Sequence, residues 1–224
     1  IERSRNVVVL GTIALDSAQA DNSATKNSLY FSPLVMKSLS NTNRILILVA
    51  VLTLIPAYFT PLWQISLWAP QYPEGLNMKI WIDHLSGNVD QINGVNHYIG
   101  MKHIGVEMFP EFTYLKYVMG AIIGLGVIFF LIGKRWSLYS FLGLLTLFGI
   151  AILVDMYLWG YEYGHELDPK AAIKVEGMVY QPPLIGYKQL LNFLAYSGPD
   201  TGSWILMGGV GLLMLAVFLD WKGK

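Results

Sequence analysis

Four apolar segments of membrane-spanning length are the feature that most limits the folds open to this chain. A helix needs about 20 consecutive, mostly apolar residues to cross a bilayer. Four segments meet that requirement: residues 44–63, 114–133, 136–159 and 203–221. Of the 224 residues, 54% are hydrophobic and 13% are charged, about half the charge of an ordinary soluble domain. The sequence therefore predicts an all-α integral membrane protein with four transmembrane helices.

The stretches between the spans divide the chain into an inner and an outer side. Residues 1–43 are predicted to form an N-terminal extension, 64–113 and 160–202 two long loops, and 222–224 a short tail. All four arginines lie on the side that holds both termini, and the long loops contain no arginine. Because basic residues are retained in the cytoplasm, we expect cytoplasmic termini and two outer loops that form a small cap.

Local patterns outside the spans are weaker. Met78 to Ile82 alternates as a short strand does, and Lys188 to Tyr196 is consistent with an amphipathic helix. Val7 to Leu15 imitates a signal peptide, but Asp16 interrupts its end. We interpret residues 1–35 as an extension without a function of its own.

Charge and residue inventory exclude several functions. Fifteen basic and fifteen acidic residues leave no positive excess with which to neutralise nucleic acid, which excludes a nucleic-acid binder. Because the four spans are apolar, membrane lipid is the expected surrounding. The sequence has no cysteine, which excludes thiolate metal sites and dithiol redox chemistry. The predicted spans contain no histidine, which excludes a haem held by histidines on facing helices.

The four histidines all fall in the two outer loops and define the first candidate site. His97 and Met101 are four residues apart and would share one face of a helical turn. Imidazole and thioether ligands without a thiolate suit copper in either oxidation state. The predicted copper ligands are His84, His97, Met101, His103 and His165. Each histidine taken alone equally fits an interfacial or hydrogen-bonded role, so a structural alternative stays open.

A second candidate lies at the end of the third span. Asp155 interrupts an apolar run, and a carboxylate within a membrane is costly unless it has a partner or a role. If the helix continues past Trp159, Asp155 and Glu162 fall on one face, and Glu162 with His165 forms a carboxylate–imidazole pair known from metal sites in helix bundles. Asp155 and Glu162 are therefore possible additional metal ligands. The alternative is a hydrogen bond from Asp155 to a neighbouring aromatic side chain, with Glu162 and His165 in solvent.

Four loop stretches carry a resemblance to a known family: FTPLWQISLWAPQYPEGL (59–76), VNHYIGM (95–101), YEYGHELDPKA (161–171) and YQPPLIGYKQLLNF (180–193). They resemble a family of uncharacterised small bacterial membrane proteins that are encoded beside nitrous-oxide reductase and its copper-delivery genes. The resemblance covers about residues 37–221. It implies the bacterial inner membrane, loops in the periplasm, and a part in supporting a periplasmic copper enzyme.

Two functions follow as expectations. The first is an accessory protein whose periplasmic cap binds copper and supports the assembly or function of a copper enzyme. The second is a structural subunit of a membrane respiratory or oxidase complex, without catalytic activity or a metal of its own. Both expect a protein partner, and neither expects this chain to be an enzyme by itself.

Overall fold

The fold was analysed in a computed structural model that describes residues 37–173, 177 and 179–223. Most of the predicted N-terminal extension, residues 1–36, lies outside this part of the chain. The helices are α1 (Asn41–Tyr58), α2 (Val89–Ile99), α3 (Glu111–Ile132), α4 (Arg135–His165) and α5 (Thr201–Lys222). The strands are β1 (Trp63–Ala69), β2 (Tyr72–Ile80), β3 (Leu85–Gly87), β4 (Gly186–Leu190) and β5 (Phe193–Pro199). A single 3-10 turn covers Val106–Met108.

Helices α1, α3, α4 and α5 are long and apolar enough to cross a membrane. Each of α1 and α4 contacts both α3 and α5, so the four helices form a square bundle in which sequence neighbours run antiparallel. The hydroxyl of Ser40 caps the start of α1 by accepting from the backbone N–H of Asn43. Helix α4 has 31 residues and continues past Trp159 to His165, well beyond the apolar run.

The prediction of an all-α fold is wrong. The two outer loops combine into one five-stranded antiparallel sheet, in the order β3-β2-β1-β5-β4, so the protein has a mixed helical and sheet fold. The sheet sits at one end of the bundle, which we call the outer end. The end with the α3–α4 turn is the inner end. The predicted strand at Met78–Ile82 lies largely within β2, whereas the predicted helix at Lys188–Tyr196 is a hairpin of β4 and β5.

The central pairing of the sheet joins the outer ends of two helices. Strand β1 follows α1, β5 precedes α5, and the two strands pair from Trp63 opposite Pro199 onward. The backbone carbonyl of Leu62 accepts from the N–H of Asp200 at 3.0 Å and from the hydroxyl of Ser203 at 2.6 Å. The indole of Trp63 donates to Ser197 at 2.8 Å. Helix α1 therefore packs most extensively on α5.

An ion pair between α4 and α5 closes the inner end of the bundle. Arg135 Nε lies 2.8 Å from the carboxylate of Asp220, and Arg135 Nη2 donates to the Asp220 backbone carbonyl at 3.1 Å. Both side chains are more than nine-tenths buried, at 6% and 8% exposure. Next to them the backbone of Leu39 donates to Gly133, which holds the residues before α1 against the α3–α4 turn. These bonds satisfy charges that would otherwise be buried without a partner.

The close approach of α1 and α5 depends on Gly209, and this gives a stability prediction. A Cβ atom at Gly209 would clash with Thr53 Oγ1, whereas a Cβ atom at Gly211 meets nothing within 4 Å. We expect Gly209→Ala to lower the free energy of unfolding by about 1–3 kcal/mol through overpacking. Gly211→Ala, the matched control on the same helix, should leave stability unchanged or slightly higher. Denaturant unfolding in detergent measures both, and equal effects would contradict this packing.

The cap of α5 predicts a dependence of stability on pH. Burial by itself would raise the pKa of Asp200, but hydrogen bonds from the Thr201 backbone and hydroxyl and the ammonium of Lys79 at 3.2 Å lower that pKa below its usual value. A lowered pKa means that the stabilisation is complete above the ordinary carboxyl pKa of about 4 and is lost as the pH falls further. Asp200→Asn should therefore be less stable than the wild type at pH 7 and lose less stability between pH 7 and pH 3. Unfolding at both pH values measures this, with exposed Glu74→Gln as the control. An identical acid-dependent loss in wild type and Asp200→Asn would refute it.

Candidate functional site

A cavity of about 540 Å³ lies where the bundle meets the sheet. Its walls come from α3, α4 and α5, and its roof comes from residues at the ends of β1 and β2, including Trp63 and Trp81. It reaches Met119, Leu145 and Val210, part-way along the helices. The lining is mostly apolar, with the carboxyl groups of Glu111, Asp155 and Glu162 as its charged members. We call this feature the outer cleft.

Helix α4 opens the outer cleft because it stands away from its neighbours. Its buried residues lie in the first third, up to Leu145, and again from Gly160 onward. Every residue from Thr146 to Trp159 is at least partly exposed, although this stretch is almost wholly apolar. Gly149, at the middle of the stretch, has nothing within 4 Å of the position a Cβ would take. The cleft therefore exposes an apolar surface of membrane-spanning character that the protein itself does not cover.

The cap, rather than α5, holds the outer end of α4. The amide of Asn96 on α2 donates to the hydroxyl of Tyr163 at 2.5 Å, with both residues about 95% buried. Lys102 bridges Glu162 and Glu166 at 2.8 and 2.6 Å. The hydrogen bonds with Glu162 and then Glu166 raise the pKa of the Lys102 ammonium group, so it stays charged at neutral pH. Helix α4 is thereby fixed to α2 and to the segment that follows α2.

Two carboxylates face the mouth of the outer cleft from neighbouring helices. Glu111 is the first residue of α3, and Asp155 lies on α4 at almost the same distance from the turn between the two helices. Both side chains line the same cavity. Within the described part of the chain neither carboxylate has an ion-pair or hydrogen-bond partner. Two carboxyl groups without a basic partner at a mostly apolar cavity favour a ligand that brings positive charge.

The sequence singled out Asp155 but missed Glu111. Asp155 stood out because it interrupts an apolar run, whereas Glu111 precedes the predicted second span and looked like an ordinary loop carboxylate. The signal that could have found Glu111 is its distance along α3 from the turn between α3 and α4. Counting outward along both helices from the Lys134–Arg135 turn puts Glu111 within about one helical turn of the level of Asp155. The predicted alternative for Asp155, a hydrogen bond to an aromatic group, is not formed by the residues that the structure describes.

The histidines of the first loop lie in different local environments. His84, between β2 and β3, accepts or donates at 2.7 Å to Asp83 and stacks on Trp81. His97 is exposed on the last turn of α2, and its ring lies edge-on to Tyr98. These two histidines belong to separate parts of the cap.

His103, Met101 and His165 also have contacts of their own. His103 Nε2 is 3.1 Å from the amide of Asn93, and His103 is exposed. Met101 packs against the apolar core beneath the sheet. His165 ends α4, stacks on Tyr161 and bonds to its backbone carbonyl at 2.7 Å, while the neighbouring Glu162 pairs with Lys102 instead. The carboxylate–imidazole pair predicted at Glu162 and His165 is therefore engaged with other groups.

The described residues contain no group of three or more His, Asp or Glu side chains arranged to hold a metal ion. Copper binding stays a prediction. Metal analysis of the purified protein beside a His97→Ala/His103→Ala double variant tests it.

Comparison with known proteins gives no relative for this chain. No protein-family model, no curated protein and no solved structure matches it. The resemblance to proteins encoded beside nitrous-oxide reductase stays a prediction. The functional proposal therefore rests on the outer cleft and the residues around it.

The buried hydrogen bond of Tyr163 and the exposed ion pairs of Lys102, which both hold α4, are predicted to contribute unequally to stability. Tyr163→Phe removes the hydroxyl and leaves the buried amide of Asn96 without its acceptor, so we expect a loss of about 1–3 kcal/mol in the free energy of unfolding. Lys102→Met removes ion pairs that are largely exposed and should cost at most about 1 kcal/mol. Parallel unfolding of the two variants measures the difference. A larger loss for Lys102→Met would show that the ion pairs, and not the buried hydrogen bond, hold α4.

Proposed function

We propose that this chain is a membrane protein without catalytic activity of its own that binds a lipid-like molecule in the outer cleft. The observation that carries this proposal is the mostly apolar cavity of about 540 Å³ between α3, α4 and α5. Small-molecule sites have volumes of roughly 300–1,000 Å³, mostly apolar walls and a few placed polar groups. The outer cleft has these three properties.

The size of the cleft favours a chain-like molecule over a partner helix. A transmembrane helix of about 20 residues is some 30 Å long and at least 10 Å wide, several times the volume of the cavity. One or two hydrocarbon chains fit the same space. The residues along α4 support this, since Gly149 leaves room beside Phe148 and Ile152, which both line the cleft.

The charge distribution supports an orientation in which the sheet lies outside the cytoplasm. Arg44 and Arg135 both lie near the inner end of the bundle, far along the helices from the sheet. Basic residues next to transmembrane helices are retained in the cytoplasm. In this orientation the outer cleft opens toward the outer leaflet of the membrane. A bacterial inner membrane, with the sheet in the periplasm, is the setting we propose.

A role as an accessory to a copper enzyme or a respiratory complex is compatible with such a binding protein. The cap offers a folded outer surface for a partner, and the bundle offers a lipid-like ligand held at the level of the membrane surface. The partner itself is a proposal that rests on the resemblance alone.

Photoaffinity labelling tests the binding proposal. A photoreactive hexadecanol, which is neutral and single-chained, should label α3, α4 and α5 at residues that line the cleft. Excess unlabelled hexadecanol should abolish that labelling, because a bound molecule is displaced and bulk partitioning is not. Peptide mapping by mass spectrometry reads the position and the amount.

A matched pair of glycine substitutions makes the labelling test specific. Gly149→Leu places a side chain in the cleft and should lower saturable labelling at least fivefold. Gly143→Leu, on the same helix but outside the cleft and equally free of neighbours within 4 Å of its Cβ position, should leave labelling unchanged. Equal labelling in all three proteins, or labelling of the wild type that cannot be competed, would refute the proposal.

A further inference from the structure

We propose that the outer cleft selects ligands with a positively charged head group, with a long-chain amine as the simplest case, through Glu111 and Asp155. This inference rests on the proposed function, since it concerns the ligand of the same cleft. It goes further by naming the chemical class of the head group and the two residues that would recognise it.

Four other carboxylates at the ends of the bundle each have a basic side chain as a partner. Asp220 has Arg135. Asp200 has Lys79, and Glu162 and Glu166 share Lys102. Glu111 and Asp155, which line the cleft, have no basic side-chain partner among the described residues; Glu74, Asp90 and Asp168 also lack one, but they do not line the cleft. The cation expected there is therefore supplied from outside the protein.

The nearest basic residue along α3 does not fill this gap. Lys116 lies one to two turns from Glu111 on the same helix, but its ammonium group sits 5.6 Å from the centre of the Tyr117 ring. The described structure shows no ion pair between Lys116 and either carboxylate. Glu111 and Asp155 thus line a mostly apolar cavity without a cation from the protein, and a bound cation would stabilise their ionised forms.

The cleft is also lined by aromatic side chains. The indoles of Trp63, Trp81 and Trp159 all contribute to the lining on the side of the sheet. The faces of indole rings attract cations, most strongly where water is excluded. One face of Trp81 is stacked on His84 and one face of Trp159 on Tyr163, so a head group at the carboxylates would meet only the remaining aromatic surface of the cleft.

The geometry matches an amphiphile with a small head. A primary ammonium has three N–H donors and can donate to carboxylates on two helices at once. The hydrocarbon chain would extend from Asp155 toward Leu145 and Met119, where the lining is apolar. A zwitterionic lipid with a terminal amine is the membrane source that shares this chemistry, and a free long-chain amine is the other.

The experiment compares two probes that differ only in the head group. Photoreactive hexadecylamine and photoreactive hexadecanol are applied to the full-length protein in nanodiscs of a zwitterionic lipid without a free amine, so that surface charge does not enrich either probe. In the wild type, we expect the amine to reach half-maximal labelling at a concentration at least tenfold lower than the alcohol. Competition with phosphatidylethanolamine distinguishes the two sources: displacement of the amine assigns a lipid head group, and its failure assigns a free amine.

Isosteric variants assign the preference to the two carboxylates. Glu111→Gln/Asp155→Asn should lose the tenfold preference while still binding hexadecanol, and each single variant should lose part of it. Glu74→Gln, an exposed carboxyl of β2 away from the cleft, should keep the preference. Retained labelling by hexadecanol shows that each variant is folded at the cleft.

The outcomes separate this inference from the proposed function. Equal affinity for amine and alcohol in the wild type overturns the inference and leaves the proposed function standing. An undiminished preference in the double variant also overturns the inference. Absence of saturable labelling by both probes in the wild type refutes the proposed function itself.

Discussion

The antiparallel pairing of β1 with β5 is the interaction on which the rest of this structure depends. Each strand adjoins a helix, so the hydrogen bonds between them fix the outer ends of α1 and α5 at one spacing. Gly209 then brings the two helices together along their length. The sheet therefore fixes the spacing of α1 and α5 and also covers the outer end of the bundle. The remaining helices are arranged around α1 and α5.

The outer cleft follows from the way in which α4 is held. In lipid there is no hydrophobic force that drives apolar helices together, so an apolar helix surface without a protein neighbour costs little. The anchoring of Tyr163 to Asn96, and of α4 to Lys102, positions the outer third of α4 by contacts above the cavity. Helix α4 can thus remain apart from α5 while the fold stays well packed at the inner end.

The sequence predicted the four long helices, but it missed α2 and most of the sheet, and the reasons are physical. A membrane span is a local signal, because about 20 apolar residues in a row suffice to show it. The pairing of β1 with β5 is not local, since Trp63 and Pro199 are far apart in the chain. The β4–β5 hairpin turns through Leu191, which has a positive φ of 54° without the Asn-Gly pattern that usually reveals such a turn. Asp155 was singled out because it interrupts an apolar run, whereas Glu111 was missed because its place at the cleft depends on the neighbouring helices.

The separation of β1 from β5 also has a consequence for biosynthesis. Strand β1 can pair with β2 as soon as both are made, but its other edge has no strand to bind until β5 follows. At about 5–20 residues per second, the chain from β1 to β5 takes on the order of ten seconds to synthesise. During that time a central strand rich in Trp, Ile and Leu has one edge with open hydrogen-bonding groups, which is a place where aggregation can begin. Strand β5 precedes α5, so the central pairing of the sheet can form as soon as β5 has been made.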